Sequence, residues 1–316
     1  MEPQCSLARR GGGEELIGIV TAAERRHPFA SLSYARAFGP TSEPFDIAPW
    51  GAPVLARTIP SSDRRDALNC YPFLPFPQGA ELEDGLACLH EQGFVSVVLV
   101  TDPLRQPAED RLVATFTSCR PFKTHYVFDR RLGIDKSARR WREVNASREA
   151  LDIREISYAS HVDAFIGLYG NLVDTHQIVG TTSFSPAFFR ALAGIEGFRA
   201  IGAFLEGQLV SMMLFVRFED TAYAFLAGTS AEGRRHSAHY GLYGFAIERF
   251  DDVRFVNLGG APGLVDDPRH GIAHVKRKLT NVVMQSYLCG AILDPVAYRS
   301  LAGDRAGCVD FFPAYR

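Results

Sequence analysis

The sequence predicts a mixed α+β (α/β) fold, in which helices flank central sheets of mixed strand direction. Two observations carry this prediction. Short apolar runs rich in β-branched residues, such as Phe94–Val100, alternate with segments whose apolar residues recur at helical spacing. Hairpin signals such as Glu206-Gly207-Gln208 also join neighbouring strand-like runs, which adds antiparallel strands to the sheets.

Length and composition are those of a globular chain. The 316 residues are enough for one large domain or two of ordinary size, and 47% hydrophobic with 22% charged residues allows a substantial core. A formal net charge of -2 argues against bulk electrostatic binding to nucleic acid but not against a local basic groove. Because no run approaches about 18 apolar residues, we expect no membrane span or membrane partner, and a cytoplasmic location.

The cysteines and histidines predict no metal site. Six cysteines have neither CxxC nor metal-ligand spacing, and we expect reduced thiols at Cys5, Cys70, Cys88, Cys119, Cys289 and Cys308. His236 and His239 stand three residues apart at a predicted helix start, but no third ligand lies near them in the sequence. Residues 1–20 lack the apolar core of a signal peptide and are expected to form a disordered tail.

The first predicted unit, residues 21–149, opens with a helix and a β-hairpin. Residues 22–38 predict the helix, with an interruption at His27-Pro28, and Trp50-Gly51 marks the hairpin turn before a strand over residues 54–58. The following segment, residues 70–79, is aromatic and rich in proline, which favours an extended chain over a helix. This segment either covers the sheet as a packed loop or forms one wall of a substrate cleft.

A helix, a buried strand and an arginine-rich helix complete this unit. Residues 82–92 have apolar residues at helical spacing with Gly93 as the C-cap, and Phe94–Val100 is typical of a strand buried on both faces. Residues 136–149 predict a helix with four arginines, which forms either a solvated face or an anion-binding one. Further predicted elements are a helix over 109–116 and a strand over 124–128.

The second predicted unit covers residues 150–316. A strand over 151–156 and a helix over 162–174 open it, and Ser185-Pro186 combines an N-cap with proline at the first position of a second helix. Three antiparallel strands and a helix follow, at 198–205, 209–217, 222–227 and 238–250. Both halves share a rough order of hairpin, helix and buried strand, which indicates a duplicated unit.

The candidate site lies in the stretch from residue 251 to residue 298. A short buried strand ends at Gly259-Gly260, a polar loop follows, and the basic run 276–278 (Lys-Arg-Lys) then forms a loop or a helix start before a strand over 281–288. A lysine delivered to a glycine turn at the end of a sheet favours binding of an anionic or acyl-bearing substrate.

The order of these elements resembles the acyl-CoA N-acyltransferase (GNAT) fold. More closely, it resembles the tandem-GNAT group that includes the Fem aminoacyltransferases of peptidoglycan bridges and their FemAB-like relatives. The resemblance covers roughly residues 20–300 and rests on four places. The first is the strand 124–128 with the arginine-rich helix, and the second is the hairpin over 202–214. The third is residues 225–247, which form a strand, a Gly-Thr-Ser loop and a helix, and the fourth is Asn257-Leu258-Gly259-Gly260 followed by Val275-Lys276. It implies two GNAT-like domains in tandem, with the transfer site in the second.

Departures from the family pattern bear on the acyl donor. CoA-using GNAT enzymes carry an Arg/Gln-x-x-Gly-x-Gly/Ala loop whose backbone N–H groups bind the pyrophosphate, whereas residues 232–241 lack the paired glycines. The family's Asp-x-Gly-Gly turn begins here with Asn257, and its Phe-Lys pair reads Val275-Lys276. The missing glycines favour aminoacyl-tRNA, the donor of Fem enzymes, as a co-substrate with no bound cofactor, and CoA stays the alternative donor.

The implied activity is transfer of an activated acyl group to an amine, which forms an amide or peptide bond. The acceptor would be a peptidoglycan precursor, or a small molecule or peptide in secondary metabolism such as antibiotic biosynthesis. The alternatives are an acyl-CoA-dependent N-acyltransferase and a non-catalytic binding subunit. Since an aminoacyl ester is already activated, the protein mainly has to position the substrates and stabilise the oxyanion.

The resemblance singles out candidate residues for these roles. Lys276 would stabilise the oxyanion or hold the terminal tRNA phosphate, and its alternative is an ordinary surface lysine. His176 at the substrate mouth and Tyr223 as an oxyanion donor are further catalytic candidates, with a helix-end cap and a core residue as their alternatives. Candidates for donor or phosphate binding are Arg234, Arg235, Lys276, Arg277 and Lys278, and those for acceptor binding are Tyr71, Phe73, Phe76 and Asn257.

Overall fold

The structure is a computed structural model, and it describes residues 26–40, 42–133, 135–176, 183–261, 263, 267, 269, 271–306 and 311–316. Within these residues, eleven strands form one mixed sheet that carries helices on both faces. The predicted fold class is therefore confirmed, although the predicted sheets are joined into one. The predicted tail and two of the cysteines, Cys5 and Cys308, lie outside the described residues.

The elements alternate along the chain. The strands are β1 (Glu43–Ile47), β2 (Ala52–Thr58), β3 (Arg65–Asn69), β4 (Phe94–Val100), β5 (Ser118–Asp129), β6 (Asp152–Ile156), β7 (Phe198–Leu205), β8 (Gln208–Phe218), β9 (Thr221–Thr229), β10 (Phe255–Asn257) and β11 (Val282–Ile292). The α-helices are α1 (Leu32–Ala37), α2 (Leu82–Glu91), α3 (Glu109–Thr115), α4 (Ala138–Ala150), α5 (Tyr158–His176), α6 (Pro186–Leu192), α7 (Ala231–Arg235), α8 (Ala238–Arg249), α9 (Gly271–Leu279) and α10 (Pro295–Ala302).

Local signals in the sequence account for many of these bounds. The Ser185 hydroxyl accepts a hydrogen bond from Phe188 N (3.2 Å) and caps α6 as predicted. Gly93 follows α2 with a φ of 75°, which suits its predicted place at the end of a helix. The first predicted helix is found in part: α1 lies within it, and a 3-10 turn, Pro28–Ala30, lies at the predicted interruption, while residues 22–25 lie outside the described residues.

The last strand in the sequence, β11, lies in the middle of the sheet. The order is β1-β2-β3-β4-β11-β5-β10-β9-β8-β7-β6. β11 lies between β4 and β5 and is antiparallel to both, while β5 pairs on its other side with β10. The β5–β10 pairing joins the two sheets that the sequence predicted. The predicted division between residues 149 and 150 falls in the last turn of α4 and stays a prediction.

Two apolar layers cover the sheet near its centre. On one side, called the α8 face, α8 and α9 pack against Ala222 of β9 and Val256 of β10. On the other, called the α5 face, α5 and α6 pack with Tyr223 and with aromatic residues of the first half such as Phe29 and Phe73. Neighbouring residues of β9 thus point to opposite faces, as strand geometry requires.

β9 and β10 are parallel neighbours that separate after a short pairing. Their register ends at Asn257 opposite Tyr223, whereas β9 continues to Thr229. Beyond Asn257 the chain stays with β5, because Leu258 N donates to Tyr126 O (2.9 Å) and Tyr126 N donates to Gly259 O (3.2 Å). We call the opening between the two strands the β9–β10 gap, and the turn at Gly259 lies along one side of it.

Candidate functional site

The turn at Gly259 and Gly260 needs glycine at both positions. Gly259 has a φ of 76°, and the Asn257 side-chain oxygen accepts a hydrogen bond from its N–H (2.8 Å). Gly260 passes close to β5, where a Cβ on it would lie 3.0 Å from Thr124 O and 3.4 Å from Lys123 Cβ. The glycines therefore let the main chain enter the space beside β5 and present a carbonyl group at the gap.

Lys276 reaches this turn from the last turn of α9, not from a loop or helix start as the sequence predicted. Its Nζ donates to Gly260 O (2.6 Å) and lies 5.9 Å from the centre of the Tyr243 ring, and only 6% of the residue is exposed. Loss of hydration, and then the charge of Lys123, lower the pKa of Lys276 to about 7. Among the residues that the structure describes, no carboxylate pairs with this ammonium.

A second buried lysine, Lys123 of β5, lies at the same turn and is 8% exposed. His125, two residues further along β5, lies 6.0 Å from the Phe73 ring, which places this side of the strand on the α5 face. Lys276 comes from the α8 face, so the two lysines approach Gly260 from opposite sides of the sheet. Sequence analysis missed Lys123, because only the folded chain places its strand beside the glycine turn.

His239 in the first turn of α8 is a further titratable group beside Lys276. Loss of hydration lowers the pKa of His239 to about 4, and the positive charges of Lys276 and Arg234 add to this effect. Its ring lies 6.4 Å from the ring of Tyr243, the tyrosine that also faces Lys276. The imidazole is therefore neutral near pH 7, and its surroundings disfavour its protonation.

The segment between β9 and α8 is folded upon itself. It contains the residues 232–241 that sequence analysis compared with the pyrophosphate loop of CoA-using GNAT enzymes, and it includes α7, capped by the Ser230 hydroxyl. Backbone N–H groups in it already donate to acceptors of the same segment, at Gly233, Arg234, His236 and Ser237. These groups are therefore not presented to a phosphate in this arrangement.

The side chains of Arg234 and Arg235 also contact the chain itself. The Arg234 guanidinium donates to Thr229 O (2.9 Å), while Arg235 forms an ion pair with Glu232 within α7. Both are exposed, and Arg234 lies near enough to His239 to affect its pKa. Their predicted contact with the donor stays a prediction.

The other two predicted donor-binding residues lie on α9. Lys278 Nζ donates to Glu143 of α4 (3.0 Å), which ties the two helices together. Arg277 is exposed and donates to the Tyr126 hydroxyl (3.3 Å) at the edge of an open cavity of about 490 Å³. Phosphate binding by either residue stays a prediction.

Tyr223 lies on the α5 face, whereas Lys276 lies on the α8 face. Its hydroxyl donates to the buried Asp102 carboxylate (2.8 Å), and only 1% of the residue is exposed. Burial raises the pKa of Asp102 to about 6. The structure gives Tyr223 the contacts of a core residue, and its role as an oxyanion donor stays a prediction.

The predicted acceptor-binding aromatic residues occupy two different places. The Phe73 ring lies 6.0 Å from His125, and the Tyr71 ring lies 5.9 Å from Phe225 of β9, so both are on the α5 face near the gap. Phe76 instead packs in the core of the first half, with 3% of it exposed. The structure thus brings Tyr71 and Phe73, but not Phe76, towards the site.

Asn257 and His176 complete the predicted set. Asn257 is 1% exposed, and its side-chain oxygen holds the Gly259 N–H while its amide nitrogen lies 3.2 Å from His125 Nδ1. These contacts make Asn257 a support for the turn, and its contact with the acceptor stays a prediction. His176 is the last residue of α5, and its side chain lies outside the described residues.

Solved structures share this fold. The chain is similar to FemX with a TM-score of 0.60 at 11% identity, over 87% of this chain and 95% of FemX. It is also similar to the C-terminal domain of a putative lysylphosphatidylglycerol synthetase from Agrobacterium fabrum, with a TM-score of 0.56 at 13% identity over 82% and 86% of the two chains. L-PGS from Bacillus licheniformis gives a TM-score of 0.52 at 14% identity over 83% and 87%.

The chain therefore shares its fold with FemX and with these two synthetase structures, and the predicted resemblance is confirmed at the level of the fold. The sequence itself matches no protein-family profile, and none of the curated proteins matches it. In the described part of the chain, no helix is long and apolar enough to cross a bilayer, and no three potential metal ligands of the His, Cys, Asp or Glu type lie together.

Proposed function

We propose that the protein is an acyltransferase that joins an activated amino acid to an amine, with aminoacyl-tRNA as the donor. The observation that carries the proposal is the buried Lys276 ammonium at the Gly260 carbonyl, in the gap between two parallel strands. A cation held in a site with little water stabilises negative charge on a carbonyl oxygen far better than it does in water. The names of two structural neighbours, FemX and a putative lysylphosphatidylglycerol synthetase, agree with such a transfer.

In the proposed reaction, the neutral amine of the acceptor attacks the ester carbonyl of the donor. A C–N bond forms, the ester C–O bond breaks, the nitrogen loses a proton, and the ribose oxygen leaves with one. Lys276 donates to the oxyanion of the intermediate, whose negative charge raises the pKa of the lysine and keeps it protonated. The 2′-hydroxyl of the terminal ribose carries the proton from the attacking nitrogen to the leaving ribose oxygen, so the step needs no strong base from the protein.

The hydrogen bonds between β9 and α8 favour aminoacyl-tRNA over CoA. Four N–H groups of that segment, those of Gly233, Arg234, His236 and Ser237, already donate to acceptors within it and are not free for a pyrophosphate. The acceptor is an amine-bearing small molecule or peptide, with a peptidoglycan precursor among the candidates. An acyl-CoA-dependent transfer on the same fold is the alternative.

A donor test decides between the two acyl sources. Purified protein is incubated with charged total tRNA carrying labelled amino acids, with and without RNase, beside a parallel reaction with labelled acetyl-CoA. We expect label to reach amines of a cell extract from tRNA and RNase to abolish this transfer. Transfer from the thioester alone would assign the protein to the CoA-dependent branch.

The role of Lys276 is tested in the same assay. Lys276→Met should lower the turnover rate by about 10²–10³-fold, the effect of removing one oxyanion donor. Arg190→Met is the matched control, because Arg190 is an exposed cation on α6 that pairs only with the exposed Asp163 among the described residues. A Lys276→Met protein that keeps the rate of the control would remove Lys276 from the mechanism.

A further inference from the structure

We propose that Cys119 of β5 and Cys289 of β11 form a redox switch, in which a peroxide converts the two thiols into a disulfide that ties β11 to β5. Of the four cysteines that the structure describes, these are the two whose sulfur atoms are in contact, with Cys119 Sγ 3.4 Å from Cys289 Sγ. The switch involves neither substrate of the proposed transfer, so it does not depend on the proposed function.

The pairing of β5 with β11 sets the two cysteines directly opposite each other. Cα atoms of opposite residues in antiparallel strands lie about 4.5–5.5 Å apart. This separation falls within the range of about 4.4–6.8 Å that a disulfide spans. A bridge between Cys119 and Cys289 therefore fits the backbone as it stands, without a shift of either strand.

A bulge in β5 produces this register. Consecutive residues of β11 lie opposite Lys123 and Pro121, so Phe122 has no opposite residue in this pairing. Without the extra residue, Cys289 would lie opposite Arg120, because a slip of one residue moves every later pair. The bulge thus brings together two cysteines that are 170 residues apart in sequence.

The two thiols differ in their exposure. Cys119 is half-buried near the start of β5, whereas Cys289 is fully buried in the apolar core of the first half. Burial raises the pKa of both thiols, and the negative charge of Glu109 also raises the pKa of Cys119. Since the thiolate is the reactive form, the pair reacts slowly near neutral pH and responds to sustained oxidation.

The reaction starts at Cys119, the more exposed thiol. Peroxide transfers an oxygen atom to the Cys119 sulfur, which gives a sulfenic acid and one molecule of water. The Cys289 sulfur then attacks the Cys119 sulfur, so that the S–S bond forms, the S–O bond breaks and a second water leaves. Two thiol hydrogens and two electrons have then passed to one peroxide molecule. A dithiol reductant reverses the step by thiol–disulfide exchange.

The disulfide acts on the strand that completes the sheet. β11 lies between β4 and β5, and Cys289 itself is opposite Leu99 of β4. A covalent bond to β5 keeps β11 in this place when the hydrogen bonds of the pairing open. Because the bond closes a loop of 170 residues, it also removes much conformational freedom from the unfolded chain. The oxidised protein should therefore unfold at a temperature about 5–10 °C higher than the reduced protein.

The experiment maps the disulfide in the full chain. The protein is treated with hydrogen peroxide, the remaining thiols are blocked with N-ethylmaleimide, and the unreduced digest is analysed by mass spectrometry. We expect a pair of peptides joined through Cys119 and Cys289, together with the higher unfolding temperature, and dithiothreitol should reverse both. A bridge from Cys119 to any other cysteine, or sulfinic acid at Cys119 without a bridge, would overturn the proposal.

Variants separate the switch from general effects of oxidation. Cys119→Ser should abolish the linked peptides and the rise in unfolding temperature, and its half-buried position accepts a hydroxyl. Cys289→Ala tests the buried partner and should give the same loss. Cys88→Ser is the matched control, because Cys88 is a half-buried cysteine on α2, and it should keep the full rise. A rise that survives in Cys119→Ser, or one that disappears in Cys88→Ser, would reject the pair as the switch.

Discussion

A single side chain, Lys276, carries the chemistry proposed for this protein. The sequence identifies it as a candidate, because a lysine that follows a Gly-Gly turn at the end of a strand indicates a binding site. Its burial and its lowered pKa cannot be predicted from the sequence, since they depend on Lys123 of β5 and on the helices that cover the site. Those neighbours are distant in sequence, so their effect is visible only in the folded chain.

The pKa of Lys276 makes a prediction about stability at the residue scale. It is about 7 in the folded protein against an ordinary 10.5, so each unit of difference costs about 1.4 kcal/mol when the charge is buried. Below pH 7 both states are protonated and the full cost applies. Between pH 7 and 10.5 only the unfolded chain keeps the proton, so the free energy of unfolding rises with pH.

Lys276→Met removes this cost and should stabilise the protein more at pH 6 than at pH 9. Chemical denaturation at the two pH values measures the difference. The exposed Lys136, which pairs with Glu248 on the surface, supplies the control, because Lys136→Met should shift stability by a similar small amount at both pH values. An equal effect of Lys276→Met at pH 6 and pH 9 would contradict the lowered pKa.

At the scale of elements, the Gly259-Gly260 turn holds the site together. Gly259→Ala places a side chain at a φ of 76°, which costs about 1–2 kcal/mol. Gly260→Ala brings a Cβ to 3.0 Å from Thr124 O, so the turn must move away from β5 and from Lys276. We expect Gly260→Ala to reduce transfer at least tenfold with a smaller loss of stability, because the shift is confined to the turn.

A glycine outside the site is the control for these changes. Gly167 lies in α5 with open space around its Cβ position, so Gly167→Ala should leave transfer unchanged and stabilise the helix by about 0.5–1 kcal/mol. Thermal unfolding and the transfer assay measure both effects. A Gly260→Ala protein as active as Gly167→Ala would show that the turn does not position Lys276.

Some helices and strands could be predicted from local sequence signals and others could not. β4 and α6 were predictable because a continuous apolar run and a Ser-Pro start are local signals. β3 was missed because its five residues include only two apolar ones, and pairing with β2 and β4 holds it in the sheet. α9 begins at Gly271 after a polar loop, so nothing local marks its start, and Lys276 was expected in the wrong part of it.

At the scale of the whole molecule, one sheet runs through both predicted units. β11 pairs with β4 and β5, although about half of the chain separates it from them in sequence. Such long-range pairing leaves no trace in local periodicity, and for this reason the sequence predicted two sheets. The proximity of Lys123 to Lys276 could not be predicted for the same reason.

This topology predicts that the second predicted unit does not fold alone. A fragment of residues 150–316 would contain β11 without β4 and β5, and β10 without β5. We expect weak, non-cooperative unfolding of this fragment by circular dichroism and recovery when residues 1–149 are co-expressed. A cooperative transition of the isolated fragment would show that the unit is an independent domain.

The central position of β11 also affects how the protein folds during its synthesis on the ribosome. About 180 residues lie between the end of β4 and the start of β11, and at about 5–20 residues per second their synthesis takes roughly 10–35 s. During that interval, the facing edges of β4 and β5 have no partner strand and resemble the exposed edges at which chains aggregate. We therefore expect a chain truncated before Val282 to aggregate through these two edges, and a chain that extends past Ile292 to cover them.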